Sequence, residues 1–282
     1  MPAAPYDQLY IYEITGDARG QAAGLAKNQA GYLGLWLEDD TSFLFFSQPA
    51  EEAVAALLAE DASLHLRECH QLSYDQWQGG LALEPVHLEG LSVAPAWCEA
   101  ADLETPHGQP CLRLDPGVVF GNGLHPTTRH CLELLLLRAG NGPLGRVLDL
   151  GCGTGILACA ASLLGAEEVL AVDLNPLCVE TTQKNAALNR LKLEVAEGPA
   201  EEFIARPART VLANMHWGAL EGVLAEPKHL LGKNDLIISG VTRSHLGPLR
   251  ARLVDLGYNE HLSRQAESTW FSLWVVRAGD NE

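Results

Sequence analysis

Val147-Leu148-Asp149-Leu150-Gly151-Cys152-Gly153-Thr154-Gly155-Ile156-Leu157-Ala158 is the stretch that decides the fold. An apolar run of strand length enters three alternating glycines, and an apolar run of helical length leaves them. Glycine permits backbone conformations and close ligand approach that a Cβ would block. A helix that starts here points its free N–H groups at whatever binds. Downstream, Val169-Leu170-Ala171-Val172-Asp173 reads as a second buried strand ending in an acid, 22 positions after Gly151. That spacing sets a carboxylate beside the ribose of a nucleoside held over the loop.

The same rhythm continues on both sides. From Arg113 onward, apolar strand patterns alternate with helical ones, the signature of a parallel sheet. Strands are expected over 146–150, 168–173, 192–196, 210–214, 235–239, 258–263 and 270–276. Val211-Leu212-Ala213-Asn214 ends in a carboxamide. Ligands of parallel sheets bind beyond the carboxyl ends of the strands, so Gly151, Asp173 and Asn214 should converge. Asn175-Pro176 reads as an N-cap followed by proline in the first turn of the next helix. Residues 7–71 read as a separate small unit, with strands over 8–14, 32–37, 43–47 and 63–69 and helices over 18–30 and 49–59. This β-α-β-β-α-β order is that of a ferredoxin-like domain. The expected organisation is a small α/β domain over 1–72, a connector rich in glycine and proline over 73–112, and an α/β domain over 113–282.

Composition narrows the partners. The 282 residues carry 36 acids and 19 bases, a net charge of −17. A surface this negative repels phosphate backbones and argues against a dedicated nucleic-acid reader. The charge is concentrated in residues 1–105, where three bases face 17 acids. Such a face either keeps the chain soluble or steers a basic protein partner. The longest strongly apolar stretch, 156–166, is too short to span a bilayer. The opening MPAAPYDQ lacks the basic and apolar regions of a signal peptide. Seven cysteines without a CxxC pair suit reduced thiols, so a cytoplasmic location is expected.

Two cofactor classes compete for the glycine loop. A dinucleotide fingerprint counted from Gly151 would need its third glycine at Ile156, so it does not fit. GxGxG followed by an acid resembles the loop of S-adenosylmethionine-dependent methyltransferases. A second signature, Leu114-Asp115-Pro116-Gly117-Val118-Val119-Phe120-Gly121-Asn122-Gly123-Leu124-His125-Pro126-Thr127-Thr128, precedes an amphipathic helix expected over 129–137. Together these stretches resemble the PrmA family, bacterial methyltransferases that modify amino groups on the eleventh protein of the large ribosomal subunit. The likeness runs from about Tyr74 onward, takes in Trp77, Pro95 and Trp97, and is sharpest in Asp115–Thr128.

The resemblance implies a Rossmann-like, seven-stranded class I methyltransferase domain behind a small domain that presents a protein substrate. It implies S-adenosyl-L-methionine held at Thr128, Gly151, Asp173 and Asn214. Phe120, Thr127, Asp149, Gly153 and Gly155 complete the candidate cofactor set, with Asp149 reaching either the donor's amino group or the loop backbone. Asn214 is also the candidate catalytic residue, orienting the cofactor or the acceptor amine without removing a proton. The expected acceptor is a lysine or N-terminal amine on a large-subunit ribosomal protein. Alternatives are a methyltransferase of the same fold acting on another protein or a small molecule, and a non-catalytic protein that retains the cofactor pocket.

The chain also departs from the family. Asn122 and Leu124 stand where the family has threonines, and Met215-His216-Trp217 follow the strand-end asparagine, where it has small or aliphatic residues. His216 reads as a helix cap or as a substrate contact, and Trp217 as core or as a pocket wall. No histidine or cysteine set has zinc-ligand spacing, so no metal is expected. Cys152, inside the glycine loop, reads as a spacer rather than a nucleophile.

Overall fold

Alternating burial along Gln8–Thr15 (β1) puts Tyr12 and Ile14 into an apolar core on one face of a sheet. The computed structural model describes residues 5–80, 83–98 and 108–279, which form two units: 1–84 with 97–102, and 85–96 with 103–282. In the first, β1 is followed by Arg19–Asn28 (α1), Tyr32–Glu38 (β2), Thr41–Phe46 (β3), Glu51–Glu60 (α2), His65–Ser73 (β4) and the short Tyr74–Trp77 (α3). The strand order β2-β3-β1-β4, antiparallel throughout, is the ferredoxin-like arrangement. The last strand runs four residues beyond the expected end at 69. It pairs with β1 along its whole length, from Thr15↔His65 to Gln8↔Ser73, across a bulge at Glu13/Ile14.

In the second unit, Val86–Leu88 (β5), Leu91–Pro95 (β6) and Cys111–Leu114 (β7) build a three-stranded sheet within the expected connector. The main sheet follows: Pro126–Gly140 (α4), Arg146–Leu150 (β8), Ile156–Leu163 (α5), Glu168–Asp173 (β9), Pro176–Leu188 (α6), Glu194–Glu197 (β10), Ala200–Phe203 (α7), Thr210–Asn214 (β11), Trp217–Val223 (α8), Asp235–Thr242 (β12), Arg243–Asp255 (α9), Tyr258–Ala266 (β13) and Trp270–Arg277 (β14). Its order, β10-β9-β8-β11-β12-β14-β13, is parallel except at β14, which runs antiparallel to both neighbours. This is the Rossmann-like class I methyltransferase fold, joined in one chain to the N-terminal sheet domain.

Both faces of this sheet are covered, which is why its central strands are continuous apolar runs. Val147, Val169, Ala171, Leu212 and Ile237 face α4 and α5, while Leu148, Leu170, Val211 and Ile238 pack in the opposite layer with Leu220, Leu249 and Leu253. Helix α4 begins three residues before the expected 129, because the His125 Nδ1 accepts the Thr127 N–H and Pro126 occupies the first turn. Strand β12 outruns its expected end at 239 because, past a shift in register, Val241 and Thr242 still pair with Phe271 and Trp270. Among the described residues no helix is long and apolar enough to cross a membrane.

At the amino ends of the strands the sheet is tied by buried polar groups. Arg138 from α4 pairs with Asp235 at 2.8 Å, and both side chains are about 5% exposed. The guanidinium also donates to the carbonyls of Gly142 and Pro143, and the Trp274 indole N–H donates to Asp235 at 2.9 Å. Nearby, the buried Lys233 ammonium donates to the Arg206 carbonyl, and the Lys233 carbonyl accepts from the Tyr258 hydroxyl and the Arg277 guanidinium.

Candidate functional site

The carboxyl ends of β9, β8 and β11 lie side by side, so Asp173, Gly151 and Asn214 stand in a row in that order. The glycine loop closes against its neighbours. The N–H groups of Gly151 and Cys152 donate to the Val172 carbonyl, and the Gly153 N–H donates to Asp173 Oδ2 at 2.9 Å. The other Asp173 oxygen accepts from the Asn175 N–H at 3.0 Å. Burial raises the Asp173 pKa above the usual carboxylate range, opposed by the N–H groups of Asn175 and Gly153. Asn175 caps α6 as its sequence implies, accepting from Leu177 N–H at 3.0 Å.

The three loop glycines have different tasks. All have positive φ. A Cβ on Gly153 would lie 2.4 Å from the Phe120 carbonyl oxygen, and one on Gly155 would lie 2.6 Å from Thr182. Those two are required by close packing inside the protein. Gly151 is exposed, and the nearest atom to a Cβ there is the Met215 ε-carbon at 3.2 Å. Gly151 is therefore the glycine that turns its open side outward.

The signature loop is fastened onto the glycine loop. The Thr154 N–H donates to the Phe120 carbonyl at 3.1 Å and the Thr154 hydroxyl to the Gly121 carbonyl at 2.7 Å. Asn185, fully buried on α6, binds both loops: its amide donates to the carbonyls of Asp115 and Thr154 and accepts the Asp115 N–H. Asn189, one turn later, pairs with the Arg113 backbone through both N–H and carbonyl. Neither asparagine was among the candidate residues. Their signal is two carboxamides four apart at the end and C-cap of α6, where side chains commonly pair with backbone. The Phe120 ring remains 51% exposed, and Leu174, next to Asp173, is 69% exposed.

The remaining candidates divide. Asn214 donates through Nδ2 to the Thr128 hydroxyl at 3.3 Å. The Thr127 hydroxyl is buried and engaged with His125 Nδ1 at 2.7 Å, which turns it to the helix cap. Asp149 lies beneath the loop. Its Oδ2 accepts the Ala158 N–H at 3.0 Å, so it binds the backbone at the start of α5, and Oδ1 is buried without a partner. Burial pushes its pKa to about 7, with the Ala158 N–H opposing and the Asp173 charge adding. Cys152 is buried, and desolvation together with Asp149 holds its thiol well above the ordinary range, as suits a spacer. His216 caps α8, accepting the Ala219 N–H at 3.4 Å. Trp217 stacks on His245 with ring planes 4° apart. His125 lies between the rings of Phe120 and Trp270, and desolvation lowers its pKa.

An exposed glycine, a carboxylate on the neighbouring strand and two exposed apolar side chains fit a nucleoside-bearing cofactor. Known proteins point the same way. The profile of the family described as ribosomal protein L11 methyltransferase (PrmA) matches residues 39–278. A ribosomal protein L11 methyltransferase of a Synechococcus strain is 36% identical over 242 residues, covering 82% of this chain and 76% of that protein. One from Streptococcus equi subsp. zooepidemicus is 34% identical over 190 residues, covering 65% of this chain but only 57% of the relative's length. The crystal structure of a ribosomal protein L11 methylase from Lactobacillus delbrueckii subsp. bulgaricus aligns with a TM-score of 0.61 at 29% identity, covering 69% of this chain and 99% of that one. With both signature loops in place and the family profile spanning most of its length, this chain belongs to the PrmA family of ribosomal protein L11 methyltransferases.

Proposed function

We propose that the chain transfers a methyl group from S-adenosyl-L-methionine to an amine, a lysine or N-terminal amino group, on a large-subunit ribosomal protein. The observation that carries this reading is the row Asp173–Gly151–Asn214 across three neighbouring strand ends. Bound there, the cofactor supplies an electrophilic methyl group on a sulfonium. Asp173, at the carboxyl end of β9 and already accepting the Gly153 and Asn175 N–H groups, is the carboxylate we assign to the ribose hydroxyls. Gly151 lets the cofactor lie against the backbone, and Phe120 and Leu174 offer apolar cover for the base. Thr128 holds the Asn214 amide nitrogen, and we assign the carboxamide oxygen as the acceptor for an incoming amine.

The acceptor must arrive neutral. A lysine with a pKa of about 10.4 costs about 4 kcal/mol to deprotonate at pH 7.4. Desolvation at the rim offsets part of that cost, so no strong base is needed. His125 is kept neutral by its own desolvation and does not compete as a cation. We assign presentation of the basic substrate to the acidic N-terminal unit and place the reaction in the cytoplasm.

The test is incubation with labelled S-adenosyl-L-methionine and either unmethylated ribosomes or free ribosomal proteins, followed by mass mapping. Label on one large-subunit protein is expected. Label in small molecules alone would favour the same-fold alternative, and cofactor binding without transfer to any acceptor would favour a binding protein. Asn214→Ala is expected to weaken donor binding, slow turnover, or both; a variant unchanged in each would remove Asn214 from its role.

A further inference from the structure

The residue after the strand-end asparagine has no role in the reading above, yet its position is unusually well determined. The Met215 N–H donates to the Ser239 carbonyl at 3.2 Å. On the other side, Gly240 has φ +80°, and a Cβ there would lie 2.4 Å from the Met215 carbonyl oxygen. Glycine in β12 thus lets the Met215 backbone press against the neighbouring strand. From this fixed base the side chain reaches across the end of β8 to Gly151, where its ε-carbon is the atom nearest to a hypothetical Cβ, at 3.2 Å.

The strand order gives this contact a meaning, resting on the donor reading proposed above. The ends of β9, β8 and β11 are neighbours in that order; with the donor's ribose held by Asp173 and the acceptor at Asn214, the sulfur would fall near Gly151. We infer that Met215 is the specificity-determining wall beside the sulfur of the donor, and that it sets the size of the alkyl group the site accepts. The side chain suits the task. It is unbranched and flexible, packs in part on the core layer of Leu148 and Leu220, and ends beside Gly151. Removing its Cγ, Sδ and Cε opens space for a larger substituent on sulfur. In an apolar pocket one methylene changes discrimination by about 10- to 200-fold.

The experiment is calorimetric titration of the wild type, Met215→Ala and Met215→Leu with S-adenosyl-L-methionine, its S-ethyl analogue and S-adenosyl-L-homocysteine. The wild type is expected to bind the methyl donor more tightly than the ethyl analogue. Met215→Ala is expected to shift the ethyl-to-methyl affinity ratio by about tenfold or more toward ethyl, and Met215→Leu to stay near the wild type. The ratio is taken within one sample, so partial unfolding of a variant cancels. A ratio equal in the wild type and Met215→Ala would overturn the inference while the wild type still binds both adenosyl compounds. Failure of the wild type to bind any of the three would bring down the donor reading, and this inference with it.

Discussion

The two ends of the main sheet do opposite things, with a polar network at the amino end on β12, β13 and β14 and the candidate site at the carboxyl end of β8, β9 and β11. At the amino edge, Arg138, Asp235, Trp274, Lys233, Tyr258 and Arg277 satisfy one another and nearby carbonyls in a largely buried network. At the carboxyl edge, Gly151 is exposed, Phe120 and Leu174 expose apolar surface, and the Asn214 side chain makes one hydrogen bond among the described residues. One edge spends its polar groups on holding strands together, and the other keeps groups open for a ligand. Substitutions at the first edge should therefore act on stability, and substitutions at the second on binding.

The largest expected effect is at the amino edge. Arg138→Met leaves Asp235 buried without its cation, and such a break costs about 3–5 kcal/mol. Urea unfolding should show that loss, while the protein that remains folded binds S-adenosyl-L-homocysteine like the wild type. Adding Asp235→Leu should recover only part of the loss: exchanging the buried pair for apolar groups is close to neutral, but the Trp274 indole N–H and the Gly142 and Pro143 carbonyls lose their partners. If Arg138→Met instead weakened binding in folded protein, the separation of the two edges would fail.

Asp149 sits between the edges, inside the core yet next to the loop. Its folded pKa of about 7 lies above the unfolded value of 3.8. The folded state therefore holds a proton that the unfolded state has released. Its contribution to stability is complete below pH 3.8, declines as the pH rises, and is lost once the pH passes about 7. At full size the difference is on the order of 4 kcal/mol. Asp149→Asn cannot ionise. Its stability relative to the wild type should rise between pH 4 and 7 and level off above, as read from urea midpoints across that range. A difference that does not vary with pH would mean that Asp149 does not carry the proton.

The alternation of strands and helices, the N-terminal β-α-β-β-α-β order and the row of three strand ends were legible in the sequence because each rests on local periodicity or on spacing along the chain. The loop glycines looked equivalent there. What separates them is Phe120, Thr182 and Met215, brought in from elements 27 to 64 positions away. Met215 stood out in the sequence only as a departure from the family, and nothing local in the chain links it to Gly151, 64 positions away. The amino-edge network was equally hidden, because Arg138, Asp235 and Trp274 come from α4, β12 and β14 and no pattern in the chain links them.

The smallest predicted effect is also the finest test, because it compares two glycines two residues apart. At both, alanine adopts a left-handed conformation at about 1–2 kcal/mol. Gly153→Ala adds an overlap with the Phe120 carbonyl, and backbone cannot step aside. That variant should lose stability beyond the conformational cost and loosen the signature loop. Gly151→Ala crowds the flexible end of Met215 at 3.2 Å, so its stability loss should stay near the conformational cost, while affinity for S-adenosyl-L-homocysteine falls because the new methyl and the shifted Met215 thicken the wall at the strand end. Thermal melts and calorimetry on the pair should therefore give opposite rankings, Gly153→Ala being worse in stability and Gly151→Ala worse in the ratio of affinity lost to stability lost. Equal rankings would mean that the carboxyl edge does not divide into packing and ligand-facing positions, and the contrast between the two edges would reduce to burial alone.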